Sequence, residues 1–130
     1  MEVSNAELAA IRRTDADIRG IEAAQQKQHA AHLAGEWGQT EDFSFHLAIA
    51  TATKNSYMAD FLRFLGPFII PANAMHQMDQ EELPGYQESL RQEHGAIADA
   101  IKAGDASAAG TAMRTHLRRG LQVNSSARET

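Results

Sequence analysis

The chain contains no cysteine. Disulfide staples and thiolate metal ligands are therefore excluded, and any metal must be held by nitrogen and oxygen. Proline occurs only 3 times in 130 residues, and β-branched residues are sparse beside abundant alanine. That composition disfavours strands and favours helices. No apolar run is long enough to span a bilayer: the longest, residues 61–70, is interrupted by Arg63, Gly66 and Pro67. The N-terminus, Met1-Glu2-Val3-Ser4-Asn5, is polar and unlike a secretory signal. There is no long Lys/Arg run, and the formal net charge is -5, so phosphate backbones are repelled rather than attracted. The one basic cluster, Arg114, Arg118 and Arg119, reads as a solvated face near a helix C-terminus, where cations complement the helix dipole. A single soluble, cytoplasmic domain is expected, with no membrane contact and no direct nucleic-acid binding by this chain.

What is present is helical periodicity. Residues 5–12 read as a short helix capped by Ser4 or Asn5. Thr14, followed by Asp15-Ala16-Asp17, signals a second start. Ile18, Ile21, Ala24, Gln25, Gln28, Ala31 and His32 then follow at helical spacing as far as about Leu33, with Gly35 as the stop. This second helix has a thin apolar stripe, which predicts a place at the bundle edge. A third helix runs from Glu36 or Thr40 to Thr53. The fourth, from Ser56, carries Met58, Phe61, Leu62, Leu65, Phe68 and Ile69. It is the most apolar and is expected at the centre, kinked or divided by Gly66-Pro67 and Pro71. Residues 79–86 read as a Pro-Gly loop. The fifth helix ends at Ala103 before Gly104, and carries Leu90, His94, Ile97, Ala98 and Ile101 on one face. Asp105 caps a last helix bearing Ala108, Ala109, Met113, His116, Leu117 and Leu121. The tail beyond Val123 is expected to fray. The fold class is thus all-α, an antiparallel bundle of about six helices.

The chemistry lies in four residues. Asp42 and His46 are four apart, so on a helix the carboxylate and the imidazole point to one spot. His94 and His116 each sit on the apolar face of their own helix. Imidazole nitrogen and carboxylate oxygen together suit one divalent transition metal such as Zn, Ni, Mn, Co or Fe(II). All-oxygen Ca or Mg sites fit poorly. Each residue taken singly has an ordinary reading. A histidine on a half-apolar face is usually a hydrogen-bonded core residue, and Asp42 can serve the helix dipole. Joint placement on three inner faces is what favours the metal. His29, His32 and His76 lack that context and read as surface or rim, with His76 an outside candidate for a pocket mouth. Met58 and Met113 read as gap-filling core or pocket lining.

Asp42-Phe43-Ser44-Phe45-His46-Leu47-Ala48-Ile49 resembles the Asp-x-x-Phe-His-x-x-Ile element of the effector-binding (FCD) domain in the FadR-type branch of GntR transcription regulators. Ala52-Thr53-Lys54-Asn55 resembles the small-residue turn that follows it. Glu93-His94-Gly95-Ala96-Ile97-Ala98-Asp99-Ala100-Ile101 is similar to the Glu-His-x-x-Ile-x-x-Ala-Ile element. Gly104-Asp105 and Met113-Arg114-Thr115-His116-Leu117 are similar to the Gly-Asp turn and the Met-x-x-His-Leu element of the final helix. The resemblance covers about residues 15–120, and its motifs occur in family order and spacing. It implies a divalent metal on Asp42, His46, His94 and His116, a small carboxylate effector that approaches the metal, and a homodimer. It also places Asn55 at the helix junction beside the pocket, although capping is its commoner role.

The sequence departs from the family in two respects. No helix-turn-helix and basic wing precede residue 42, so operator contact would fall to a winged-helix domain outside the pattern seen here. The Arg-x-x-Leu-Glu element of the first effector-domain helix, whose arginine helps hold the effector acid, has no match. The expected function is metal-dependent sensing of an organic acid for a transcription regulator. One competitor is a metal-dependent hydrolase or transferase. It requires a general base beside the metal, and Glu93, adjacent to His94, points about 100° away on a helix. Another competitor is a helical dimerisation module with a purely structural metal.

Overall fold

The computed structural model describes residues 1–69 and 81–129; side chains are described as far as Gly66 and from Glu81 to Gly120. Six helices occur among the described residues: α1 (Glu2–Arg12), α2 (Asp15–Leu33), α3 (Gln39–Ala52), α4 (Ser56–Ile69), α5 (Leu83–Ala103) and α6 (Ala106–Glu129). There is no strand among them, and no helix is long and apolar enough to cross a membrane. The all-α bundle is as expected. Its boundaries follow local signals. Thr14 accepts from the Asp17 backbone while the Asp17 carboxylate accepts from the Thr14 backbone, a reciprocal capping box that starts α2. Gly35 (φ +80°) and Gly104 (φ +74°) take the left-handed conformation that ends α2 and α5 at no steric cost. Asp105 Oδ1 accepts from the Ala108 backbone at 3.0 Å and caps α6.

The main core is built from α1, α2, α3, α5 and α6. It contains Ala6, Ala9, Ile21, Phe45, Ile49, Ile97, Ile101, Ala109 and Met113, all buried. Alanines on α1 let that helix lie close to α3, α5 and α6. The end of α1 is tied to the end of α3 by a hydrogen bond from Arg12 Nη1 to the Thr53 carbonyl (3.0 Å).

Five local expectations are corrected. Neither Ser4 nor Asn5 is a cap: α1 begins at Glu2 and contains both, and Asn5 is wholly buried with no hydrogen-bond partner for its amide among the described residues. The most apolar helix is not central. α4 packs principally on α3, through a small cluster of Ala50, Ala59 and Leu62 edged by Phe43, Leu47 and Met58, while Tyr57, Phe61 and Phe64 are exposed. Gly66-Pro67 does not divide it, since the helix continues to Ile69. Gly66 instead admits the Phe43 ring, which lies 2.8 Å from where a Cβ would stand. Leu83-Pro84-Gly85-Tyr86 forms the first turn of α5 rather than a loop. Proline fits there because the first helical N–H groups have no intrahelical partner. The segment beyond Val123 is helical to Glu129 rather than frayed. The expectations for Pro71 and His76 lie outside the described residues.

Asp17 joins two structural tasks, since it also pairs with Lys54 at 2.5 Å, linking α2 to the turn after α3. Burial works to raise its carboxyl, but Lys54 and the Thr14 hydrogen bonds outweigh it and hold the group below its ordinary value. A depressed folded-state value means that the stabilisation is present at neutral pH and is lost as pH falls through the acid range. Asp17→Ala is expected to cost about 1 kcal/mol at pH 7. The difference from the parent should shrink as pH falls below the ordinary carboxylate value, as read from denaturant unfolding at several pH values.

Candidate metal centre

α3 brings two of the four residues together by simple periodicity. Asp42 lies in its first turn and His46 one turn later, both on the side that faces α2, α5 and α1. α5 and α6 run antiparallel across the short Gly104-Asp105 turn, which sets His94 beside His116, with ring centroids 4.8 Å apart. The result is a group in which Asp42, His46, His94 and His116 each offer a ligand atom, all within 4.8 Å of one another. The three histidines are buried; the Asp42 side chain is 29% exposed but turns its Oδ1 into the interior, so Asp42 stands at the edge of the set.

Within the group, Asp42 Oδ1 is 3.1 Å from His94 Nε2 and 3.7 Å from His46 Nε2. Asp42 Oδ1 and His94 Nε2 are nonetheless both buried without a properly directed hydrogen bond. They are close but aimed past each other. Bonds of about 2.0–2.2 Å from a metal to nitrogen or oxygen put neighbouring ligand atoms roughly 3–3.5 Å apart. Asp42 Oδ1 and His94 Nε2 have that spacing, and the set as a whole, within 4.8 Å, is somewhat wider.

Each ring is held from behind. Gln28 Oε1 of α2 lies 2.8 Å from His94 Nδ1, and Glu93 Oε1 lies 2.7 Å from His116 Nδ1. Glu2 Oε2 of α1 approaches His46 Nδ1 to 2.8 Å, although that nitrogen has no well-directed hydrogen bond. Partners on Nδ1 fix the tautomer and leave Nε2 as the free nitrogen, the arrangement usual behind metal-ligating histidines. Phe45 stacks on His94 at 4.1 Å between centroids. Glu93 also holds Arg119 through a charge-assisted hydrogen bond from its Nε.

Electrostatics suit this role. Burial alone would raise the Asp42 carboxyl, but His46, His94 and His116 outweigh it and hold it far below the usual range. Burial pushes His94 down to about 4, opposed by Asp42. Burial and the facing His46 ring also lower His116. Burial would lower His46 too, but Asp42 and Glu2 outweigh it and raise it. At neutral pH the set thus holds an ionised carboxylate and at least two neutral imidazoles with free lone pairs.

The structure brings together all four residues singled out by spacing. Asn55 lies elsewhere. It caps α4, its Oδ1 accepting from the Tyr57 backbone at 3.1 Å, and lines an outer groove with Thr51, Lys54 and Arg63 that none of the four borders. His29 is exposed and His32 half-buried, consistent with rim positions. Glu93 does face away from His94, as its helical position requires, but it supports His116. Sequence reasoning missed three supports. Glu2 gave no signal. Gln28 did, as the one strongly polar residue on the buried stripe of α2 formed by Ile21, Ala24 and Ala31. Arg119 was assigned to a solvated face, whereas it is three-quarters buried against Glu93.

The profile of the FCD domain matches residues 1–119. This chain belongs to the FCD domain family. It is 31% identical over 120 residues to the HTH-type transcriptional regulator LutR of Bacillus subtilis (strain 168), a match covering 90% of the chain and 54% of that protein. Its fold matches Streptococcus agalactiae GntR with a TM-score of 0.74 at 24% identity, covering 100% of the chain and 54% of the other. The chain therefore spans about half the length of the curated relative it matches.

Gln28→Leu keeps the volume of the side chain but strips the partner from His94 Nδ1. An unsatisfied buried polar group costs about 1–3 kcal/mol. Thermal unfolding of the metal-free variant should show that loss, and a variant as stable as the parent would refute the supporting role of Gln28.

Proposed function

We propose that this FCD domain senses a small organic acid through one divalent transition metal held by Asp42, His46, His94 and His116. The observation that carries the reading is the convergence of four potential ligand atoms inside the bundle, two of which, Asp42 Oδ1 and His94 Nε2, are buried without a directed partner. Unsatisfied buried polar atoms are costly, and an ion would satisfy them at once. Charge supports the same reading. Glu2, Asp42 and Glu93 bring three carboxylates to the rings and Arg119 one guanidinium. A divalent cation offsets that surplus of negative charge. Such an ion offers a Lewis-acidic position to a carboxylate on the Asp42 edge of the set.

The domain acts within a GntR-type transcription regulator, where it works as a homodimer in the cytoplasm and a separate winged-helix domain contacts the operator. Effector binding changes DNA affinity only by as much as the acid prefers one conformation over the other. A hydrolytic role is less well supported. The acids nearest the rings, Glu2 and Glu93, approach Nδ1 atoms, and Glu93 is further held by Arg119. Neither stands as a free base on the metal-facing side.

Metal content by mass spectrometry tests the reading. About one divalent ion per chain is expected, lost in both His94→Ala and His116→Ala. A chain that carries no metal and takes up none of Zn, Ni or Mn refutes the sensor. Glu93→Gln should retain the site but weaken metal affinity by roughly 10–100-fold, measured by competition with a chelator of known affinity. Unchanged affinity would show that Glu93 serves only Arg119.

A further inference from the structure

Arg119 is a guanidinium drawn into the protein beside the four-residue set, and the role proposed above gives it no contact with the effector. Its Nε is bound to Glu93, which in turn holds His116. Its Cζ lies 4.8 Å from the centroid of the Tyr86 ring, a cation–π contact that fixes the plane of the group. Glu93 takes its Nε and the Tyr86 hydroxyl also accepts from the group, so of its five N–H donors those not used by these two remain on the Nη atoms. Arg119 and His116 are three residues apart on α6, about 4.5 Å along the axis. Tyr86 is two turns from Glu93 on α5, so both residues stand on one side of the set.

We infer that Arg119, backed by Tyr86 and tethered by Glu93, is a second anion anchor, so that the acid sensed here is a short dicarboxylate rather than a monocarboxylate. This rests on the proposed metal site for the first carboxylate. The second carboxylate meets the Nη edge of Arg119, where a guanidinium binds in two parallel hydrogen bonds. Tyr86 adds a phenolic donor. Burial raises its hydroxyl above the ordinary value, and nearby Asp42 and Glu93 reinforce this against Arg119, so the group stays protonated at neutral pH. Glu93 prevents Arg119 from swinging into solvent and lowers the entropy lost on binding.

The test compares succinate with butyrate, which share a carbon count, by calorimetric titration of the purified chain. Arg119→Gln, Arg119→Lys and Tyr86→Phe are run in parallel, and the metal content of every sample is measured first. Succinate is expected to bind on the order of tenfold or more tighter than butyrate, the worth of a charge-assisted pair. Arg119→Gln should abolish that preference. Arg119→Lys, which keeps the charge but not the fork, should restore it only in part. Tyr86→Phe should reduce it. Equal affinities, no succinate binding, or a preference that survives Arg119→Gln overturn the anchor. If metal is present in such a sample, the metal-site reading survives that failure. An Arg119-dependent preference in a chain without metal would support the anchor and sink the metal. Circular dichroism melts of each variant separate lost binding from lost folding.

Discussion

Three imidazoles and a carboxylate crowded into the interior of a helical bundle set the terms for the rest of this structure. Desolvation penalises every one of them, and it is the first influence on the protonation of all four. The fold answers with partners from several directions. Glu2 comes from α1, Gln28 from α2 and Glu93 from α5, each against an Nδ1 atom. Phe45 closes one ring face. The bundle is therefore held by apolar packing and also by a polar network that crosses between helices.

That network explains the helix arrangement better than apolar content does. α1 is short and rich in alanine, and the small side chains let its backbone approach α3 and α6. The approach carries Glu2 to His46. α2 has only a thin apolar stripe, yet it packs on both α3 and α5, and its buried Gln28 meets His94. α4, the most apolar helix, contributes nothing to the set and rests on the outer side of α3.

The legible part of the fold was local. Thr14 with Asp17, Gly35, Gly104 and Asp105 fix helix ends through interactions within a few residues, so the boundaries of α2 and the α5–α6 turn could be read directly. The four inner residues were legible because helical periodicity alone places each on a buried face. What escaped was long-range. Gln28 and His94 are separated by 66 residues, and Arg119 and Glu93 by 26. No spacing rule links such pairs. Arg119 looked solvated because it follows Arg118 in a basic run, although adjacent helix residues face different ways. α4 was misplaced because hydrophobicity reports a need for partners without saying which surface supplies them.

The seat of α4 has a mechanical consequence. α3 supplies both Asp42 and His46 on one side and carries α4 on another, and α4 has no comparably broad contact with any other described helix. Gly66 brings the far end of α4 against Phe43, one residue from Asp42, while Asn55 clamps the near end at the turn. The position of α4 is thus set by α3 along most of its length. The exposed Tyr57 and Phe61 therefore sit on a helix whose seat is the same α3 that carries Asp42 and His46.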